Sequence, residues 1–237
     1  MLGIIGAMDK EVDALRGAMT DAREEDAGFA RCTLGRLLGV PVCLARCGIG
    51  KVHAALCAQA IIMKYPVEAE LNIGVAGALR PTLAVGDVVI AQSAVQHDID
   101  TTPIGDPPGL ISGPNIVHIP CDGALSALLL KAAEAAGLRA ETGAVATGDQ
   151  FIVGAEKKDS LSRAFGAAAC DMEGGAIAQC CYELGVPYAA CRAISDTRDG
   201  DEREYMEKAE QACRSEEELL RRFLPLYQHA REERNHG

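Results

Sequence analysis

Short apolar runs alternate along this chain with longer stretches of helical period. Residues 3–7 form an apolar run, and a helical pattern follows from Asp9 to about Met19. Two strand-like runs come next, at 29–37 and 40–46. The turn GIGK at 48–51 opens a helix whose apolar positions Val52, Leu56, Ala60 and Met63 predict a buried face. Strands are expected at 69–75 and 87–97. A loop rich in Pro and Gly then spans 101–115. Leu125, Leu128, Leu129, Ala132 and Ala136 mark an amphipathic helix that Gly137 stops. Beyond it the pattern reads strand 142–147, helix 156–165, strand 167–172, helix 174–184 and strand 187–195. A long last helix starts near Glu202 and buries Met206, Ala209, Cys213, Leu220 and Phe223.

Strands separated by helices of 10 to 15 residues predict one α/β domain with three layers, α/β/α, around a mixed, largely parallel, twisted sheet. Neither a repeat nor a dividing linker interrupts it. The expected domain is 1–228, with 229–237 a solvated polar tail.

The net charge of -11 repels phosphate backbones, which argues against a nucleic-acid partner. The start MLGIIGAMDKE lacks a basic n-region, and no apolar run nears the length of a bilayer span, so the expectation is a cytoplasmic protein without membrane contact. Ten cysteines without a CxxC pair, and without histidines at zinc-finger spacing, read as reduced structural thiols. No metal or cofactor is expected. GIIG at 3–6 fails the dinucleotide spacing, and the segment at 45–52 fails the P-loop pattern at Ala45 and Val52.

What remains is a set of acids at expected strand ends, where open α/β sheets build sites. Glu11 follows the first strand, Asp171 and Glu173 bracket the end of AACDME, and Asp196 ends AACRAIS with Arg192 shortly before it. Singly, each reads equally well as a helix cap or as a catalytic group. Asp9 is a candidate cap for the first helix.

Seven segments occur in order: GIIGAMDKEV, CGIGK, NIGVAGAL, VGDVVIAQ, GDQFI, DMEGGAIA and RAISD. Together they resemble the 5'-methylthioadenosine/S-adenosylhomocysteine nucleosidases of the purine nucleoside phosphorylase/uridine phosphorylase superfamily. The resemblance implies a nucleoside phosphorylase-like fold. It also implies hydrolysis of the N-glycosidic bond of 5'-methylthioadenosine, S-adenosylhomocysteine or 5'-deoxyadenosine by a homodimer. It makes Asp196 the acid at the leaving adenine, Glu11 the base that activates water, and Arg192 an aid in orienting them. Glu173 would grip the ribose hydroxyls, Met8 and Met172 would pack the sugar, and Phe151 and Ile152 would hold adenine. Gly77 and Ser195 fall within the same matched segments. Ile49 and Tyr205 would close the 5' pocket, with Thr101 and Ile104 supplied by a partner chain. Val75 stands where the family has a serine, which removes a hydroxyl that could hold phosphate. Rival readings are a 6-amino-6-deoxyfutalosine hydrolase, a phosphate-dependent phosphorylase and a catalytically weak nucleoside binder.

Overall fold

The computed structural model describes residues 1–236, with side chains through Glu233. Eleven strands and six α-helices alternate along it. In chain order they are β1 (Leu2–Gly6), α1 (Asp9–Ala18), β2 (Thr20–Ala27), β3 (Ala30–Leu37), β4 (Val40–Arg46) and α2 (Lys51–Lys64). Then come β5 (Ala69–Asn72), β6 (Val75–Ala78), β7 (Val88–Gln96), β8 (Ile119–Pro120), α3 (Gly123–Ala135) and β9 (Ala140–Thr147). The chain ends with α4 (Ala155–Phe165), β10 (Ala167–Asp171), α5 (Gly174–Leu184), β11 (Tyr188–Asp196) and α6 (Glu202–His236).

The sheet order is β2-β3-β4-β1-β5-β11-β6-β10-β9-β7-β8, and β11 also pairs antiparallel with β7. That extra pairing closes β11, β6, β10, β9 and β7 into a ring. Parallel contacts dominate the middle (β4-β1-β5-β11-β6), and antiparallel ones flank it. Because side chains alternate across a strand, Leu2 and Ile4 pack with Val12, Leu129 and Phe223 under α1, α3 and α6. Ile5 points the other way, into a core with Ala54, Ile61, Ile177 and Cys181 under α2 and α5. This is the expected three-layer arrangement. Among the described residues, no helix is long and apolar enough to cross a membrane.

Five features depart from the sequence reading or were not in it. The polar segment TDAREEDA is a strand, β2, held at the sheet edge by antiparallel pairing with β3. The expected strand 69–75 breaks at Ile73 and Gly74, where Gly74 takes φ +147, and resumes as β6. Helix α2 buries Ala54, Cys57, Ala58 and Ile61 against α5, leaving Val52 69% and Met63 71% exposed on the face expected to be core. Small side chains let the α2 and α5 backbones approach, and the large ones are turned outward. Finally, α6 runs helical through the residues expected as a tail. Arg231 pairs with Glu68 at 2.8 Å, and only Gly237 of that tail lies outside the described residues. Met206, assigned to the buried stripe of α6, is instead 78% exposed.

Glu70, in β5, is fully buried and neither carboxyl oxygen has a hydrogen-bond partner. Burial raises its pKa well above the usual carboxylate range. The folded state therefore keeps a proton that the unfolded chain releases above the ordinary glutamate value. Stability is fully present at low pH and falls as pH rises toward the folded pKa, by roughly 1.4 kcal/mol per pH unit from this group. Denaturant unfolding of Glu70→Leu from pH 5 to 8 should show a shallower decline than the wild type. At neutral pH the variant should be more stable by about 1–3 kcal/mol. Equal slopes would count against a buried acid here.

Candidate active site

The C-terminal ends of β1, β9, β10 and β11 and the break between β5 and β6 surround one cavity of about 340 Å³. That volume suits a small ligand. Of the residues singled out in the sequence, Met8, Glu11, Ile49, Val75, Gly77, Phe151, Ile152, Met172, Glu173, Ser195, Asp196 and Tyr205 line it. Thr101 and Ile104 do not. They lie in the loop after β7, with Ile104 80% exposed, so a single chain leaves them outside the site.

Glu11 is cap and cavity wall at once. Met8, rather than Asp9, is the N-cap of α1, and Asp9 instead pairs with Arg46 on the surface. Glu11 Oε2 accepts the backbone N–H groups of Ala7 (2.7 Å) and Met8 (2.8 Å), while Oε1 accepts that of Val75 (3.2 Å). Three amides thus fix the carboxylate. Gly74 permits this approach, since a side chain there would meet Glu11 Oε1 at 3.0 Å. Burial raises the Glu11 pKa, opposed by the three backbone hydrogen bonds and by Arg192.

Asp196 ends the fully buried strand β11. Its Oδ1 accepts from Ser195 Oγ at 2.8 Å, and Oδ2 accepts from Lys158 Nζ at 2.6 Å. Gly77 faces Oδ2, where an added Cβ would sit 2.9 Å away. Lys158 is buried on α4 and also donates to the Thr197 carbonyl at 2.6 Å. Asp196 and Lys158 thus form a buried ion pair at the cavity.

Glu173 begins α5, and its Oε1 accepts from Gly50 N at 2.8 Å in the CGIGK turn. That turn is tied to the segment carrying Phe151. Asp149 accepts from Lys51 N at 2.8 Å, and Asp98 accepts from both Lys51 Nζ (2.6 Å) and Asp149 N (2.9 Å). Burial, then the neighbouring charge of Asp171, pushes the Glu173 pKa up to about 7. Phe151 and Tyr205 meet edge to face at 5.2 Å over the mouth, and the Tyr205 hydroxyl lies 3.6 Å from Met8 Sδ.

Arg192 stands behind the cavity wall. It is buried and does not line the cavity. Nε and Nη2 donate to Asp171 Oδ2 at 3.0 and 2.7 Å, and the other donors go to Asn72 and the Cys191 carbonyl. Asp171 is at the wall, but Thr147, Gly174 N and Arg192 engage its oxygens. The charged segment 197–204 keeps its charges off the cavity. Arg198 pairs with Asp159, and Glu204 accepts from Thr197 N and Oγ1. The resulting lining holds four carboxyl side chains and no Lys, Arg or His.

The profile of the phosphorylase superfamily matches residues 1–225. The 5'-methylthioadenosine/S-adenosylhomocysteine nucleosidase of Shewanella sp. (strain W3-18-1) is 37% identical over 201 residues, which span 84% of this chain and 87% of that protein. This chain belongs to that nucleosidase family. Among solved structures, the nucleosidase of Colwellia psychrerythraea 34H in complex with adenine superposes with a TM-score of 0.88 at 33% identity, covering 94% of both chains. The Neisseria meningitidis nucleosidase in complex with methylthio-immucillin-A gives 0.89 at 31% identity, covering 94% of this chain and 97% of that one. The futalosine hydrolase of Helicobacter pylori gives 0.88 at 30%, with the same coverage.

Two buried charged residues beside this nucleosidase site escape the sequence reading. Lys158 in EKKDSL and Glu216 in SEEEL lie within charged helix segments. A signal was present in the register: Lys158 precedes Leu161 and Phe165 at i+3 and i+7, and Glu216 falls between Ala209 and Leu220, Phe223 on the apolar stripe of α6. A charge on a buried stripe requires a partner, and Asp196 and the Gly74 amide are those partners.

Proposed function

We propose that this protein hydrolyses the N-glycosidic bond of 5'-methylthioadenosine and related 5'-substituted adenosines, S-adenosylhomocysteine and 5'-deoxyadenosine among them, releasing adenine and the free sugar. The observation that carries the reading is the placing of Glu11 and Asp196 on the walls of one small cavity, each fixed by named donors. Cleavage of this bond builds negative charge on adenine and positive charge on the ribose ring. Asp196, with Lys158 behind it, supplies the proton and the balancing charge at the base. Glu11 takes a proton from the attacking water. Glu173 holds the ribose hydroxyls and adds negative potential beside the cationic ring. Phe151 and Ile152 bracket the base, and Met8 and Met172 pack the sugar.

Hydrolysis is favoured over phosphorolysis by the wall itself. Phosphate would enter beside Glu11 and Glu173 with neither a cationic side chain on the lining nor a hydroxyl at Val75 to receive it. The 5' end is bounded by Ile49, Phe151, Met8 and Tyr205, which suits an uncharged substituent such as methylthio. A carboxylated aromatic group, as in 6-amino-6-deoxyfutalosine, finds no cation on that lining. The test is adenine release from 5'-methylthioadenosine in buffers with and without phosphate. Equal rates and a free sugar product are expected, whereas sugar 1-phosphate would overturn the hydrolase reading.

The reading includes a homodimer, and the exposed apolar face of α2 supports it. Val52, Leu56 and Met63 expose large apolar side chains in a row on α2, next to Ile49 of the cavity wall, and scattered exposure does not account for such a row. Sedimentation of a monomer at micromolar concentration would refute it. A cytoplasmic setting suits ten unpaired thiols.

A further inference from the structure

Glu11 forms part of the wall of two cavities. Besides the nucleoside cavity, a second space of about 260 Å³ lies between α1 and α6, and both Glu11 and Glu216 line it. At about 30 Å³ per molecule this is room for several waters. The two carboxyl groups are also joined through the backbone. Consecutive amides at the β5–β6 break divide between them: Gly74 N donates to Glu216 Oε1 at 2.6 Å and Val75 N donates to Glu11 Oε1 at 3.2 Å. Glu216 is buried, and the catalytic assignment above gives it no task.

We propose that Glu216 is a positioning and proton-relay residue, and that the α1–α6 cavity is the exit by which Glu11 discharges the proton it takes from water. This rests on the reading of Glu11 as the base. In each turnover a water O–H bond breaks, the oxygen bonds to the sugar, and the proton passes to Glu11. Adenine takes a proton from the Asp196–Lys158 pair, which regains one from solvent when the products leave, balancing the one that Glu11 sheds. Glu11 must then lose its proton while products still fill the front cavity. On the rear side, water in the second cavity passes that proton to Glu216, which releases its own outward, so its charge is unchanged after the step.

The groups facing Glu216 set the direction. Glu11 and Lys10 face it from α1, Arg192 and Cys191 from β11, and Glu210, Cys213, Arg214 and Glu217 share α6 with it. Burial, then the charge of Glu11, pushes the Glu216 pKa up to about 8. At neutral pH it is a neutral acid that can give one proton and accept another. Above about pH 8 its ionisation places a second negative charge beside Glu11, which then holds its proton more tightly.

The experiment measures kcat and kcat/KM against pH for wild type, Glu216→Gln, Glu216→Asp and Ala14→Leu. Discharge follows glycosidic cleavage, so its loss lowers kcat and KM together and spares kcat/KM. Glu216→Gln should lose roughly fivefold or more in kcat with kcat/KM within about twofold, and the fall in kcat above about pH 8 should vanish. Glu216→Asp keeps a titrating group and should keep that alkaline fall. Ala14 lies exposed on α1 at the cavity, so Ala14→Leu narrows the exit without touching either carboxyl group. It should reproduce the kcat loss even if Glu216→Gln folds poorly. Unchanged kcat in both Glu216→Gln and Ala14→Leu overturns the proposal. So does an equal loss in kcat and kcat/KM, which would make Glu216 a prop for the Gly74 amide alone. Glu11→Gln in the same assay separates the two readings: if it retains turnover, the base assignment itself has failed.

Discussion

Asp196→Asn should lower kcat by about 10³-fold, near the middle of the range for loss of a general acid. The amide keeps the shape of the carboxylate and can still accept from Ser195, but it has no proton to give to the leaving base. The structure adds a second expected effect that the carboxylate alone would not suggest. Lys158 Nζ is buried on Asp196 Oδ2, and an amide leaves that ammonium without its counter-charge. Breaking one partner of a buried pair costs roughly 3–5 kcal/mol, so the variant should also melt earlier. The double variant Lys158→Met, Asp196→Asn separates the two effects. It should recover much of the stability and none of the turnover, measured by denaturant unfolding beside adenine release. A single variant with near wild-type kcat would remove Asp196 from the acid role, whatever its stability.

The ion pair also shows where the sequence stops being informative. Continuous apolar runs made β1, β10 and β11 legible, and the acids after them marked the cavity, because a buried strand end followed by a carboxylate leaves few alternatives. Edge strand β2 was illegible, since it is polar and mostly exposed, and pairing with β3 and contacts from Lys64 and Tyr65 hold it. In α2 the large apolar residues were read as core, yet close packing on α5 selected Ala54, Cys57 and Ala58 and turned Val52, Leu56 and Met63 outward. The resemblance makes Arg192 an aid in orienting water and carboxylate, and its guanidinium faces Asp171 and Asn72 behind the wall, contacts that no local pattern shows. Lys158 reaches Asp196 across 38 positions and Glu216 reaches Gly74 across 142, distances over which no local pattern speaks. What local pattern can show is position on a stripe, and both charged residues occupy one.

Glu11→Gln should still bind 5'-methylthioadenosine with a KM close to wild type, yet lose about 10²- to 10⁴-fold in kcat. The argument turns on what Glu11 does besides capping α1. Its oxygens receive three backbone N–H groups, from Ala7, Met8 and Val75. A glutamine presents one oxygen and one NH₂, so one or more of those donors meets another donor, and helix capping weakens by about 1 kcal/mol. That cost is small beside the chemical loss and appears in unfolding, not in kcat. The pH profile supplies the sharper separation. Burial raises the Glu11 pKa, and a base works only when deprotonated. The wild-type rate should therefore fall on the acid side at a pH above the usual carboxylate range. Glu173, raised to about 7, titrates on the same side. Glu173→Gln should raise KM through the lost ribose contact and leave the Glu11 limb in place, whereas Glu11→Gln should remove that limb along with the turnover. If Glu11→Gln instead raised KM at unchanged kcat, Glu11 would be a helix cap that happens to border the substrate, and the water would need another base.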